Sequence, residues 1–183
     1  MRSMCIISLV VSLPTLVGCV TDSVQTSSGR PLAPEPRSVA PAPQASSINA
    51  VSLLKSQRPV DTNGNGFPNR MDVAVYLFAR PYPIPRHAEG TLRFHYYRIG
   101  GVDPVRGSSS EPLATWSFSS EMLDSARIDD IIGPGYSLAL DLSAIQISSL
   151  PVDSVDLVVE FEPLDGGEIA RGTSIQRIPF VIY

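Results

Sequence analysis

Beyond position 50 the chain alternates apolar and polar residues with a period of two. Tyr136, Leu138 and Leu140, for example, are separated by small or polar residues, which gives a strand one apolar and one polar face. Glycine-rich turn signals such as Gly100-Gly101 separate these stretches at spacings too short for crossover helices. The pattern predicts an all-β fold, an antiparallel β-sandwich of about seven strands near 48–54, 71–79, 91–99, 113–118, 136–142, 154–162 and 173–182.

One stretch has helical spacing instead. It begins after Ser119 or Ser120, either of which is a good helix cap, and it stops at Gly133. We therefore expect one short helix over residues 120–132. Its apolar positions are Met122, Leu123, Ile128, Ile131 and Ile132.

The segment from 21 to 50 has a different composition. It is rich in serine and alanine, has no aromatic residue, and contains the prolines Pro31, Pro34, Pro36, Pro41 and Pro43. Such a segment cannot bury enough apolar surface to fold on its own. We assign residues 19–47 to a disordered tether and residues 48–183 to the β-sandwich domain.

A short apolar run from Cys5 to Leu13 follows the basic Arg2 and ends in Leu16-Val17-Gly18-Cys19. This arrangement resembles the signal of bacterial lipoproteins, although an ordinary secretory signal with a chance cysteine is the alternative. The resemblance implies that residues 1–18 are a signal peptide and that Cys19 becomes the first mature residue. It also implies that Cys19 carries fatty acyl chains, palmitate among them, that anchor the protein to a membrane.

The residue after the lipidated cysteine indicates which membrane retains the protein. In the lipoprotein sorting rule an aspartate there retains the protein at the inner membrane, whereas this chain has Val20. The resemblance therefore implies a lipid-anchored protein of the outer membrane, on either its periplasmic or its surface face.

Charge narrows the choice of partners. The 183 residues carry a formal net charge of −4 and contain no basic run. A mildly acidic surface argues against nucleic acid as a partner, and we expect an envelope protein instead. Loss of the signal peptide would remove Cys5 and leave no free thiol beside the lipidated Cys19.

A candidate metal site lies between the first two predicted strands. Oxygen-bearing side chains alternate there with glycines, and they are Asp61, Asn63, Asn65, Asn69 and Asp72. The spacing resembles the calcium loops of thrombospondin type 3 repeats, in which oxygen ligands wrap a hard cation. Because only two of the five are carboxylates, any calcium site is expected to be weak. The alternative is a double Asn-Gly turn whose side chains bond their own backbone, with no cofactor at all.

Catalytic motifs are not found in the sequence. The two histidines, His87 and His95, lie in a proline-rich loop and on a strand, outside any hydrolase or metalloprotease signature. The neighbours Asp129 and Asp130 point to different faces and make a poor acid and base pair. Asp156, Glu160 and Glu162 share a strand face without a basic neighbour in sequence, and we expect a solvated surface there. The sequence predicts that the protein is not an enzyme.

Aromatic residues occupy a face that the alternation predicts to be polar. In the strand near 71–79, Tyr76 and Phe78 lie opposite the apolar side, and the next strand could place His95 and Tyr97 beside them. Either the 120–132 helix or the loop at residues 81–85 covers these rings, or the four residues form a partner surface.

The order of these features gives a second resemblance. The lipoprotein signal, the tether, a first strand, a polar turn and then Val73-Ala-Val-Tyr-Leu77 are similar in order to the outer-membrane lipoprotein of type VI secretion systems. That family implies a transthyretin-like sandwich that binds an inner-membrane partner. Our expectation is a membrane-anchored, non-catalytic binding or scaffolding module. A secretion-system lipoprotein and a calcium-stabilised surface or carbohydrate-binding module are the alternatives.

Overall fold

The computed structural model describes residues 29, 38–103, 107–108 and 110–180. Within it, Val39–Tyr183 forms one compact unit. The unit confirms the predicted fold class, because two antiparallel sheets stack as a β-sandwich and one short helix accompanies them. In the described residues no helix has the length and apolar character needed to cross a membrane.

The helix α1 is Ser120–Ser125, and a single turn of 3-10 helix follows at Ser143–Ile145. The strands of the described residues are β1 Ala50–Lys55, β2 Arg70–Phe78, β3 Gly90–Arg98, β4 Val102–Asp103, β5 Gly107–Ser108, β6 Ala114–Phe118, β7 Arg127–Asp129, β8 Pro134–Asp141, β9 Ser154–Pro163, β10 Ala170–Arg171 and β11 Gln176–Pro179.

Two sheets make the sandwich. The first has the order β1-β2-β8-β7, and the second has the order β10-β9-β3-β6, with β11 pairing the same edge of β9 as β10. A small separate hairpin joins β4 to β5. Each of the seven predicted strands overlaps an observed one, although the last, predicted at 173–182, is reduced to β11 at Gln176–Pro179 in the described residues. The short strand β10 precedes it and was not predicted.

The core lies between the sheets because alternate residues of each strand point inward. Val73, Val75 and Leu77 of β2 are buried there, and Tyr96 of β3 packs edge-to-face on Trp116 of β6 with ring centroids 4.8 Å apart. Trp116 Nε1 also donates a hydrogen bond of 3.0 Å to the carbonyl oxygen of Asp141, at the end of β8. The indole thus joins the second sheet to the first.

The predicted helix over residues 120–132 is wrong beyond Ser125. Its second half forms β7, which pairs with β8 in the register Ile128↔Gly135, and then a turn. Asp130 Oδ1 accepts the backbone N–H of Ile132, and Gly133 takes a φ of +122° that suits glycine. The apolar spacing misled the prediction because Ile131 and Ile132 lie exposed at the turn and pack no helical face.

The compact unit begins at Val39, so it includes part of the segment that the sequence analysis assigned to the tether. Arg86 holds this part, because its guanidinium donates to the carbonyl oxygens of Pro43, Gln44 and Ser46. The chain then enters β1, and Ile48 is already buried in the core. The predicted signal peptide and the lipidation site Cys19 lie outside the described residues.

Candidate binding surface

The outer face of the first sheet carries no charge over most of its area. The strand registers place Ser52, Ala74 and Ser137 on this face, and Leu54 lies there with 47% of its surface exposed. Further outward positions are Ala50, Phe78, Gly135, Ala139 and Ile128. Among the described residues of this face, Arg70, Asp72 and Asp141 lie at one end. Lys55 and Asp72 line a pocket there together with Leu54, Ala74 and Ser137.

The outer face of the second sheet has the opposite character. Asp156, Glu160 and Glu162 share this strand face, as predicted, but each has an arginine partner, which the sequence analysis did not expect. The predicted solvated surface is also wrong at Asp156, which is 4% exposed and accepts the N–H of Gly100. The ion pairs join Arg177 to Asp156 at 3.4 Å, Arg171 to Glu160 at 2.9 Å and Arg93 to Glu162 at 2.6 Å. The partners come from β3, β10 and β11, which flank β9, so no pattern within one strand reveals them.

The predicted partner surface of Tyr76, Phe78, His95 and Tyr97 does not form. β2 and β3 follow each other in sequence but belong to different sheets, so their outward residues lie on opposite faces of the sandwich. Tyr76 and Tyr97 are 2% and 8% exposed, which removes both rings from any surface. Only Phe78 and His95 remain partly exposed, one on each outer face.

Tyr76 is covered by the turn between β7 and β8. Its hydroxyl donates a hydrogen bond of 2.5 Å to Asp130 Oδ2, and its ring lies directly against Gly135. Burial, together with the hydrogen bond to Asp130, raises the pKa of Tyr76 to about 12. The same hydrogen bond, aided by the N–H groups of Ile132 and Gly133, lowers the pKa of Asp130. Asp130 is solvent-exposed and at the same time has a structural partner in Tyr76.

A groove opens beside the uncharged face, where the loop after β2 rises next to β1. Its volume is about 380 Å³. The ring of Phe78 lines one side, and the loop contributes Arg80, Pro81, Tyr82 and Pro83. Its remaining lining comes from Ala50, Val51, Ser52 and Thr173.

Backbone and side-chain hydrogen bonds fix the loop that forms the groove. The side-chain oxygen of Asn49 accepts a hydrogen bond of 2.8 Å from the backbone N–H of Arg80, and its amide nitrogen donates one of 3.2 Å to the carbonyl oxygen of Arg80. The backbone N–H of Tyr82 donates a hydrogen bond to the carbonyl oxygen of Ala79, and the backbone N–H of Arg86 donates one to the carbonyl oxygen of Leu77. The groove is therefore built into the fold, which lowers the entropy cost of binding a ligand.

The loop at residues 61–72 forms the polar turn that was the alternative to a calcium site. Asp61 accepts the N–H groups of Asn63 and Gly64 through Oδ1, and that of Gly66 through Oδ2. Asn63 and Asn65 each accept the N–H two residues further on. The N–H of Gly66, and to a smaller extent those of Gly64 and Asn63, lower the pKa of Asp61.

The remaining two loop residues point away from any shared centre. Asn69 is buried and donates its amide to Thr62, Asp141 and Ser143, while its Oδ1 accepts the N–H of Thr62 at 2.7 Å. Asp72 lies on β2 and pairs with Arg70 at 3.0 Å. The residues present therefore fit calcium poorly, because only one carboxylate faces the loop and backbone donors already occupy both of its oxygens. In the described residues no group of three or more acidic, histidine or cysteine side chains is arranged to hold a metal.

Both histidines have ordinary structural contacts. His87 Nε2 lies 3.0 Å from the carbonyl oxygen of Gly135, and its ring packs on Tyr136. His95 Nδ1 lies 3.0 Å from Thr115 Oγ1 on the open face of the second sheet. Partial burial lowers the pKa of His95, although the nearby Glu160 acts in the other direction.

Comparisons with known proteins do not assign a family. No protein-family model matches the chain, and no significant match is found among curated proteins.

Sequence reasoning missed the residues that build the groove. Tyr82 and its flanking prolines were considered only as a cover for other rings, and Arg80 was not considered. No periodic signal marks them, because they lie in a loop whose position depends on the contact between Asn49 and Arg80. The high proline content of the loop was the single available sign of a rigid surface.

Proposed function

We propose that the protein is a membrane-anchored envelope lipoprotein whose β-sandwich binds another protein and performs no catalysis. The observation that supports this proposal most directly is the difference between the two outer faces of the sandwich. One carries three ion pairs, whereas the other exposes Leu54, Ala74 and Phe78 in an area with few charged side chains. A largely uncharged face with accessible apolar side chains is suited to docking another protein.

The anchor and the tether support the same proposal. Acyl chains on Cys19 would hold the protein at the outer membrane, and the proline-rich segment would separate the domain from the bilayer. A largely uncharged face beside a groove that hydrogen bonds hold in place suits a partner protein. No observation favours a secretion-system role or a calcium-stabilised module over general binding.

Crosslinking in cells tests the proposal. A photoreactive amino acid placed at Leu54 should give a defined protein adduct, whereas the same probe at Ser117, on the opposite outer face, should not. Ala74→Arg should abolish the adduct from position 54, because it places a charge in the centre of the uncharged face. The matched Thr115→Arg, on the opposite face, should leave it unchanged. Equal adducts from both faces, or an adduct that survives Ala74→Arg, would refute the proposed docking face.

Fractionation tests the anchor separately. Cys19→Ser should abolish labelling with fatty acid and move the protein from the membrane to the soluble fraction. If the serine variant stays on membranes after a high-salt wash, the lipid anchor is not what holds it.

A further inference from the structure

The lining of the groove is unusual in its hydrogen-bonding groups. It combines apolar surface from Phe78, Pro81 and Pro83 with the hydroxyls of Ser52 and Tyr82 and the guanidinium of Arg80. None of these three polar side chains forms a hydrogen bond or ion pair with a residue that the structure describes. The lining contains no Asp, Glu, Asn or Gln side chain. The groove therefore offers apolar contacts, a guanidinium that only donates, and the hydroxyls of Ser52, Tyr82 and Thr173, which can donate or accept.

A ligand with unpaired acceptors can pair with all of these polar groups, because the guanidinium and the hydroxyls can each donate. Proline-rich peptides meet this condition, because proline has no N–H and the polyproline II helix leaves its carbonyl groups free. Aromatic and proline side chains are suitable walls for such a helix, and hydroxyl donors suit its carbonyls. We propose that the groove binds a proline-rich segment of an envelope partner protein, with an acidic residue of that segment beside Arg80. This inference rests on the proposed binding function.

The structure argues against other peptide conformations in the groove. A peptide added as a strand to β1 would need the carbonyl group of Val51, but that oxygen already accepts the N–H of Thr173 at 3.1 Å. An α-helix is about 10–12 Å wide with its side chains. A groove of about 380 Å³ is small for it, whereas one turn of polyproline II helix is three residues and about 9 Å long.

The charge of Arg80 indicates which kind of residue should flank the proline segment of the peptide. Arg80 is exposed and has no carboxylate partner in the described part of the chain, unlike the three arginines of the second sheet. A carboxylate beside the proline segment would pair with this guanidinium.

Peptide binding to the full-length chain in detergent tests the proposal. The probe is a fluorescent peptide of six prolines followed by two glutamates, and the comparison peptides have two lysines in place of the glutamates or glycine and serine in place of the prolines. Fluorescence anisotropy should show binding of the proline peptide, at least tenfold tighter than the glycine-serine peptide. Inorganic phosphate should not displace it.

Variants locate the binding site. Tyr82→Ala should weaken binding about tenfold, because truncation of an aromatic anchor is costly. Tyr82→Phe, which keeps the ring and removes the hydroxyl donor, should weaken binding by a smaller factor. Arg80→Ala should remove the preference for glutamates over lysines. The matched controls are Arg58→Ala, another exposed arginine, and Ile131→Ala, an exposed apolar residue outside the groove; both should bind as the native chain does.

The possible outcomes test the assigned ligand class separately from the proposed binding function. Equal binding of the proline and glycine-serine peptides, displacement by phosphate, or unchanged affinity in Tyr82→Ala would overturn the assignment. A variant lacking residues 21–37 is measured in parallel; binding by that variant alone would identify the chain's own proline-rich segment as the occupant and overturn the partner assignment. If the peptide fails while Ala74→Arg still abolishes crosslinking from position 54, the binding function survives and only the ligand class is wrong.

Discussion

The hydroxyl of Tyr76 donates to Asp130 Oδ2 at 2.5 Å and thereby ties the centre of the first sheet to the turn that ends β7. Tyr76 faces outward from β2, yet only 2% of its surface is exposed. The Tyr76 ring, although it points outward from the middle of the sheet, is therefore as buried as a core residue. The turn shields it, and the carboxylate satisfies its hydroxyl.

Tyr76→Phe should lower the melting temperature by a few degrees, because it removes this hydrogen bond while keeping the ring. Tyr82→Phe is the matched control, since the Tyr82 hydroxyl bonds to no described residue. Thermal unfolding followed by circular dichroism measures both. Equal losses in the two variants would contradict the importance of the contact with Asp130.

The same tyrosine predicts a pH dependence. The pKa of Tyr76 is raised to about 12 in the folded protein, above the usual value near 10. The unfolded chain therefore loses its proton first, so the stabilisation is complete below about pH 10 and is lost as the pH rises towards 12. Absorbance titration of tyrosinate should show one fewer late-titrating group in Tyr76→Phe. A Tyr76 that ionises near pH 10 in the folded protein would contradict this prediction.

Gly135 is a second test of the packing around Tyr76. A Cβ atom at position 135 would lie 2.8 Å from the Tyr76 ring and 2.9 Å from the carbonyl oxygen of Val75. Gly135→Ala should therefore destabilise the fold by about 1–3 kcal/mol, as overpacking does. Ser137→Ala, two residues further along β8 and exposed, is the control. Denaturant unfolding should separate the two variants, and equal midpoints would show that the ring moves aside freely.

The sequence predicted the fold class because the alternation of β2, β3, β8 and β9 records which side of each strand faces the core. It could not predict which strands share a sheet. That ambiguity placed Tyr76 beside Tyr97, although they lie on opposite faces. It also hid the arginine partners of Asp156 and Glu160, which come from β11 and β10. Non-local pairing of this kind depends on topology, and a period of two carries no information about it.

Arg86 predicts where proteolysis stops. Its guanidinium contacts the carbonyl oxygens of Pro43, Gln44 and Ser46, so the resistant fragment of the native chain should begin near Val39. Arg86→Met should release this segment and move the start of the fragment towards Ile48, which is buried in the core. Mass spectrometry of the digest gives the boundary. Arg98→Met, at another exposed arginine, should leave it unchanged, and the same boundary in Arg86→Met would show that other contacts hold the segment.

The loop at residues 61–72 predicts a graded series of stabilities without metal. Asn69→Ala should cost about 1–3 kcal/mol, because Asn69 is buried and its amide bonds Thr62, Asp141 and Ser143. Asp61→Asn should also destabilise the fold, since one neutral amide oxygen cannot replace two carboxylate oxygens that accept three N–H groups. Asp72→Asn should have little effect, because its exposed pair with Arg70 contributes little. Chemical denaturation in the presence of a chelator measures the order of the three variants.

Calcium and acid distinguish the two interpretations of this loop. If the hydrogen bonds alone close it, melting curves of the native chain in about 10 mM calcium, in magnesium and in chelator should coincide. A calcium-specific rise of several degrees that Asp61→Asn removes would instead establish a weak site. The lowered pKa of Asp61 also predicts that its stabilisation is present above about pH 4 and is lost as the pH falls through the folded pKa. The stability of Asp61→Asn should therefore fall less steeply with acid than that of the native chain, and parallel acid profiles would show that backbone donors do not stabilise the Asp61 carboxylate.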